Sequence, residues 1–194
     1  MTKKKLILAV TGASGAIYAQ QLIEKFKSDT LKKQIEDVAL VFSKNAPDVW
    51  KHELDEFNPD ELPFKTYNLN DYNAPFASGS AKYETMIICP CSMGTLGRIA
   101  HGISDDLIGR AADVILKERR KLILVPRENP FNLIQINNLK AVMEAGAIIS
   151  PAIPSFYSKP KSVIEVVDTV ISRILDLAGF EIEAYRWKGT VNPD

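Results

Sequence analysis

Short apolar runs, each too brief for a buried helix, recur along the chain at residues 6–10, 38–42, 85–89, 122–125 and 147–149. Such runs read as strands buried on both faces. Helical spacing fills the gaps, at residues 17–27, 47–53, 94–101, 106–119 and 132–145. A last stretch, 162–177, sets Val163, Val166, Val167, Val170, Ile171, Ile174 and Leu177 on one face. Strands alternating with helices demand crossover connections, and so an α/β fold with a mostly parallel sheet and helices on both faces. The 194 residues suit one domain, 1–194, with a sizeable core. Residues 55–83, rich in Pro, Asn, Asp and Ser, fit the alternation least and read as a loop or lid.

In a parallel sheet, ligands gather where strands end. The first run is followed by Thr11-Gly12-Ala13-Ser14-Gly15-Ala16, which joins it to a helix. A glycine-bearing turn of this kind presents unpaired N–H groups at the positive end of a helix dipole, suited to an electron-rich group. It lacks two glycines of the dinucleotide fingerprint and the lysine of a P-loop, so neither a dinucleotide nor a nucleoside triphosphate is the default ligand. Ser14 adds a hydroxyl instead.

Other ends carry Ser43-Lys44, then Cys89-Pro90-Cys91-Ser92-Met93-Gly94-Thr95, then Pro126-Arg127-Glu128-Asn129-Pro130, and last Ser150 through Tyr157. Ser43, Ser92 and Thr95, with the helix that starts near Gly94, can cradle a phosphomonoester through neutral donors. Ser92 and Thr95 can equally form an N-cap that needs no ligand. Arg127-Glu128, flanked by prolines, is either an ion pair or part of a second phosphate site to which Lys117, Tyr157 and Arg173 could contribute.

Lys+Arg and Asp+Glu both total 24, so no global charge points to nucleic acid or an anionic membrane. The basic run 117–121 reads first as a solvated helix end. Cys89 and Cys91, spaced C-P-C with no paired histidines, make a structural metal an unsuitable reading. Without a signal peptide or a long apolar span, a cytoplasmic location is expected.

From about residue 5 to 187 the chain resembles the UbiX/Pad-type flavin prenyltransferases, once described as aromatic acid decarboxylases. The blocks that carry this are TGASGAIYA, Ser43-Lys44, ASGS at 77–80, CPCSMGTL at 89–96, RAADVILKERRKLILVPRENPF at 110–131, PAIPSFY at 151–157 and Arg186-Trp187. The resemblance implies a Rossmann-like/flavodoxin-like three-layer fold, FMN as cofactor, no metal, and a homo-oligomer, a dodecamer in family members. It also implies transfer of the dimethylallyl group of dimethylallyl phosphate to N5 and C6 of reduced FMN. The product, prenylated FMN, would serve a UbiD-type decarboxylase.

By position, the resemblance places Gly12, Ala13 and Ser14 against the flavin, with Ser43, Ser92, Met93, Gly94 and Thr95 holding FMN. Arg127 falls between flavin and substrate. Lys117, Glu128, Tyr157 and Arg173 fall around the dimethylallyl phosphate, and Glu53 is a further acidic residue of the active site. Glu128 is the expected acid for phosphate departure. Tyr72, in Asn70-Asp71-Tyr72, stands where many relatives have tryptophan, and keeps a π face for an allylic cation. Gln135 stands where a histidine is common.

Two rivals share the expected fold. A flavin-dependent cysteine decarboxylase would carry a catalytic cysteine further downstream, and none follows Cys91. A non-catalytic FMN-binding accessory subunit of a decarboxylase would not need the second phosphate set.

Overall fold

The computed structural model of the chain describes residues 3–54 and 56–186. Trp187, which completes the last block of the resemblance, lies outside the described residues, as does Asp55. Strand β1 (Lys4–Val10) leads into helix α1 (Ala16–Phe26), and a short α2 (Asp29–Lys32) turns the chain into β2 (Ile35–Phe42). Next come α3 (Ala46–Glu53), β3 (Lys65–Tyr67), β4 (Thr85–Cys91), α4 (Met93–Ala100) and α5 (Leu107–Lys117). Then follow β5 (Lys121–Pro126), α6 (Leu133–Glu144), β6 (Ile148–Ile149) and α7 (Val163–Ala178).

The strands form one six-stranded sheet in the order β3-β2-β1-β4-β5-β6, every pair parallel. This is the expected doubly wound architecture. The order in which strands are added reverses between β1 and β4, which opens a crevice at their carboxyl ends.

The run from Leu6 to Val10 is wholly buried because it serves both faces. Leu6, Leu8 and Val10 pack with Leu22, Phe26, Val170 and Ile174 on the α1 and α7 side. Ile7 and Ala9 pack with Leu96, Leu107, Ala111 and Ile115 on the α4 and α5 side. A strand's two-residue period divides one apolar run between two cores.

Helix starts follow their capping chemistry. Ser92, Asp106, Asn132 and Ser162 each accept a first-turn N–H of the helix they precede. Gln135 completes a capping box with Asn132, which gives this residue a definite structural task at the start of α6. Helix α7 ends at Gly179, whose φ of 79° is left-handed. Its first turn departs from the expected buried stripe, since Val163 is 70% exposed while Leu175 and Ala178 join the core.

The segment read as a loop or lid is largely irregular, and part of it packs at the sheet's edge. It supplies β3, which pairs with β2 through only three residues, too few for a periodic signal. Behind it Phe76 is 1% exposed and meets the rings of Tyr67 and Tyr83 at 5.0 and 5.4 Å between centroids, edge to face. The Tyr83 phenol donates to the Asp37 carboxylate.

Candidate active site

The crevice between β1 and β4 is stitched by Thr11, a residue to which the sequence reading gave no role. Thr11 is 1% exposed, and both its N–H and its hydroxyl donate to the carbonyl of Pro90, at 3.2 and 2.8 Å. Its Oγ1 also accepts the N–H of Ser92 at 2.7 Å. The loop after β1 and the start of α4 are thereby locked together. A threonine at the first position beyond a strand was the available signal.

Beyond it, Gly12 lies so close to the loop after β2 that an added Cβ would sit 2.7 Å from the Cβ of Asn45. Gly15 takes a φ of 113° and begins α1. The amides there are not open to a phosphate. Gly15 N–H donates to both Glu53 carboxylate oxygens, at 3.1 and 2.8 Å, and Ala16 N–H donates at 2.7 Å. Glu53 ends α3 and so closes the positive pole of α1 with its own charge.

Burial works against that charge, but the Ser14 hydroxyl, the two amides and the Arg127 guanidinium outweigh it, and the carboxyl is held below its ordinary range. Ser14, Glu53 and Arg127 are therefore brought together. Tyr18, also passed over in the sequence reading, packs its ring beside Gly15. Burial, then the nearby Cys89, raise its phenol above the ordinary value, while Arg127 opposes them.

At α4 the cap is real. Ser92 Oγ accepts the N–H of Thr95 at 3.3 Å and donates to Thr95 Oγ1 at 3.1 Å. The cap leaves room for a ligand as well. Gly94 is exposed, with nothing within 4 Å of where its Cβ would stand, and first-turn amides have no intrahelical acceptor. Met93 is buried beneath them. Ser43 donates its N–H to Val10 at 2.9 Å and lines a cavity of about 480 Å³ with Phe42, Lys44, Tyr67 and Asn70. Tyr72 is not among the residues that line it; its N–H donates to Asn70 at 3.1 Å, and its side chain is 48% exposed.

The end of β5 places Arg127 by a bond from its N–H to Cys91 at 3.3 Å. Arg127 and Glu128 form no ion pair with each other, and the exposed Glu128 carboxylate accepts the N–H of Asn129 at 3.1 Å. Ala152 donates to Pro126 at 3.1 Å, which sets the segment after β6 beside this turn. Tyr157 and Arg173 line one groove of about 440 Å³ with Ser150, Asp176 and Tyr185. These two residues, 16 positions apart in sequence, do converge.

Lys117 does not converge with them in the same chain. It ends α5 four residues before β5 begins, at the amino edge of the sheet, where it pairs with Glu118 at 2.7 Å. Strand β5 separates it from Arg127 by about 20 Å, the rise of six extended residues. The expectation that Lys117 shares an edge with Arg127 fails within one chain, because a helix that returns to start a parallel strand must end at the opposite edge. Its neighbour Arg120 in the basic run is structural, donating to Gly79 at 2.6 Å and Tyr83 at 3.2 Å. The two cysteines are fully buried, and burial pushes the Cys91 thiol up to about 12.

The Flavoprotein family pattern matches residues 1–175. The flavin prenyltransferase UbiX of Methanocaldococcus jannaschii is 42% identical over 191 residues, covering 96% of this chain and 100% of that one. The chain belongs to the UbiX-type flavin prenyltransferases. Two solved structures of similar proteins superpose closely. One is AnUbiX (PadA1) in complex with FMN and dimethylallyl pyrophosphate, with a TM-score of 0.86 and 39% identity over 97% of this chain and 99% of that one. The other is a dodecameric FMN-dependent UbiX-like decarboxylase from Escherichia coli O157:H7, also at 0.86 and 39%, covering 96% of this chain and all of that one.

Within the flavin prenyltransferase family, the donor set described above suits a flavin mononucleotide. The open start of α4, with its first-turn amides and the Thr95 hydroxyl, suits a monoester phosphate. The closed start of α1 suits a neutral ring beside Ser14 better than a second anion.

Proposed function

We propose that the chain joins the dimethylallyl group of dimethylallyl phosphate to N5 and C6 of reduced FMN, making prenylated FMN. The observation that carries this is the contrast between two neighbouring helix starts. One, at α4, is open and neutral; the other, at α1, is closed by the Glu53 carboxylate with Ser14 and Arg127 beside it. A phosphate anchor and a proton-handling centre thus stand side by side across the β1/β4 crevice. Bound reduced FMN supplies the electron-rich ring atoms that accept the prenyl group.

Ser92, Met93, Gly94 and Thr95 then hold the phosphate of FMN, Ser43 supports it from the next loop, and Gly12, Ala13 and Ser14 lie along the ring. Glu53 is ionised near neutral pH and takes the Ser14 proton in a hydrogen bond, which leaves Ser14 Oγ an acceptor on its ring-facing side. Cleavage of the allylic C–O bond, with Glu128 protonating the departing oxygen, leaves a delocalised cation and a hydrogen-phosphate dianion. Arg127, Arg173 and Tyr157 bind and orient that phosphate, the proton the flavin gives up as the new bonds form restores Glu128, and Tyr72 offers the cation a π face. Lys117 reaches this place from a neighbouring copy, a reading supported by its position at the far edge of the sheet and by the dodecameric relative. The product goes to a UbiD-type decarboxylase in the cytoplasm; among the described residues no helix is long and apolar enough to cross a membrane.

The cysteine decarboxylase rival is disfavoured by two buried thiols held protonated and no cysteine beyond them. A storage subunit would have no use for the groove of Tyr157 and Arg173. The test is anaerobic incubation with reduced FMN and dimethylallyl phosphate, followed by mass spectrometry of the bound flavin. A gain of one prenyl unit is expected; unmodified FMN from protein shown to bind both compounds would overturn the proposal. Glu128→Gln should keep FMN and slow C–O cleavage by about 100-fold or more, and unchanged turnover removes Glu128 from the acid role.

A further inference from the structure

We infer that Arg98 sets the donor direction of the FMN phosphate cradle, acting through Thr95 as a positioning residue. The inference rests on the reading of Ser92–Thr95 as that cradle. Arg98 lies one turn beyond Thr95 on α4, and its Nη2 donates to Thr95 Oγ1 at 3.3 Å. The same Oγ1 accepts from Ser92 Oγ at 3.1 Å. A hydroxyl has one proton and two acceptor positions. With both acceptor positions of Thr95 filled from within the helix, its proton is directed away from them, towards the open start of α4.

Ser92 cannot substitute for this donor. Its Oγ accepts Thr95 N–H and spends its own proton on Thr95. The chain of bonds therefore runs one way, from guanidinium and Ser92 into Thr95 and from Thr95 outward. Thr95 is 4% exposed, so its hydroxyl has little water to turn towards instead.

Arg98 is itself fixed. Its Nε lies 3.4 Å from Asp105 and its Nη2 lies 3.7 Å from Asp106, and Asp106 caps α5 through Gly109 at 2.7 Å. Its effect through Thr95 does not touch the isoalloxazine ring, so the residue should affect FMN and leave riboflavin, which lacks the phosphate, alone.

The experiment is fluorescence titration of the flavin-free full-length protein with FMN and with riboflavin, for wild type, Arg98→Met, Arg98→Lys and Thr95→Val. Arg98→Met should weaken FMN binding by about tenfold or more and leave riboflavin binding unchanged, with Arg98→Lys restoring part of the loss by returning the charge. Equal losses for both flavins would mark Arg98 as merely structural and overturn the inference, as would no loss for either. Thr95→Val separates this from the cradle reading. If it leaves the preference for FMN over riboflavin intact, the cradle assignment itself fails; if it removes the preference while Arg98→Met does not, only the role of Arg98 fails.

Discussion

Glu53 is an exposed side chain whose oxygens nonetheless hold two amides of another helix, 37 and 38 residues away in sequence. Its carboxyl is held below the ordinary range, so it binds its proton less readily folded than unfolded. A group of that kind contributes stability fully above the unfolded pKa and loses the contribution as pH falls through the folded one. Denaturant midpoints measured from about pH 6 down to about pH 3 should fall for the wild type partly through Glu53. Glu53→Gln should start lower near neutrality and show a shallower acid decline; an unchanged acid limb would remove Glu53 from the helix cap. The sequence named Glu53 only through family resemblance. No local pattern says that a carboxylate at the end of one helix will cap another.

At the scale of elements, α6 and α7 contrast. Helix α7 sets Ile171 and Ile174 at 0% exposure in the core beside α1. Helix α6 buries only Val142, while Leu133 and Ile134 are 73% and 71% exposed. Ile171→Ala should cost about 2–5 kcal/mol in the unfolding of the chain. Ile134→Glu should leave the far-ultraviolet spectrum unchanged and reduce the assembly size seen in sedimentation, because exposed apolar side chains grouped on one helix mark a protein interface. Retention of full assembly size would place the subunit contacts elsewhere. The strands and helix caps were legible in sequence because apolar runs and capping residues are local signals. Strand β3 was not, since its three residues owe their conformation to pairing with β2 and to the aromatic cluster around Phe76.

At the scale of the whole molecule, the position of Lys117 predicts a site shared between copies. Lys117→Ala and Glu128→Gln should each impair prenyl transfer. Co-expressed in one assembly, they should recover activity at about a quarter of the sites by random assortment, wherever two unaltered residues meet across a boundary. No recovery in assemblies proven to be mixed would mean that Lys117 does not serve a neighbour's site.

What the sequence alone determined is the layered α/β plan and the strand ends at which chemistry collects. Both follow from periodicities and turn residues that act within a few positions of one another. It also supplied both readings of Ser92 and Thr95, cap and cradle, and the structure makes them compatible. Tertiary structure decided which helix start stays open. Glu53 reaches α1 only because α3 folds back beside it, and of these two helix starts that contact leaves the one at α4 open. It also decided the direction of Lys117, since the edge at which a helix ends depends on the strand that follows. Through Thr11 and Arg98 it turned a row of small hydroxyls into an ordered set of donors, and that order comes from contacts across the crevice and between helices.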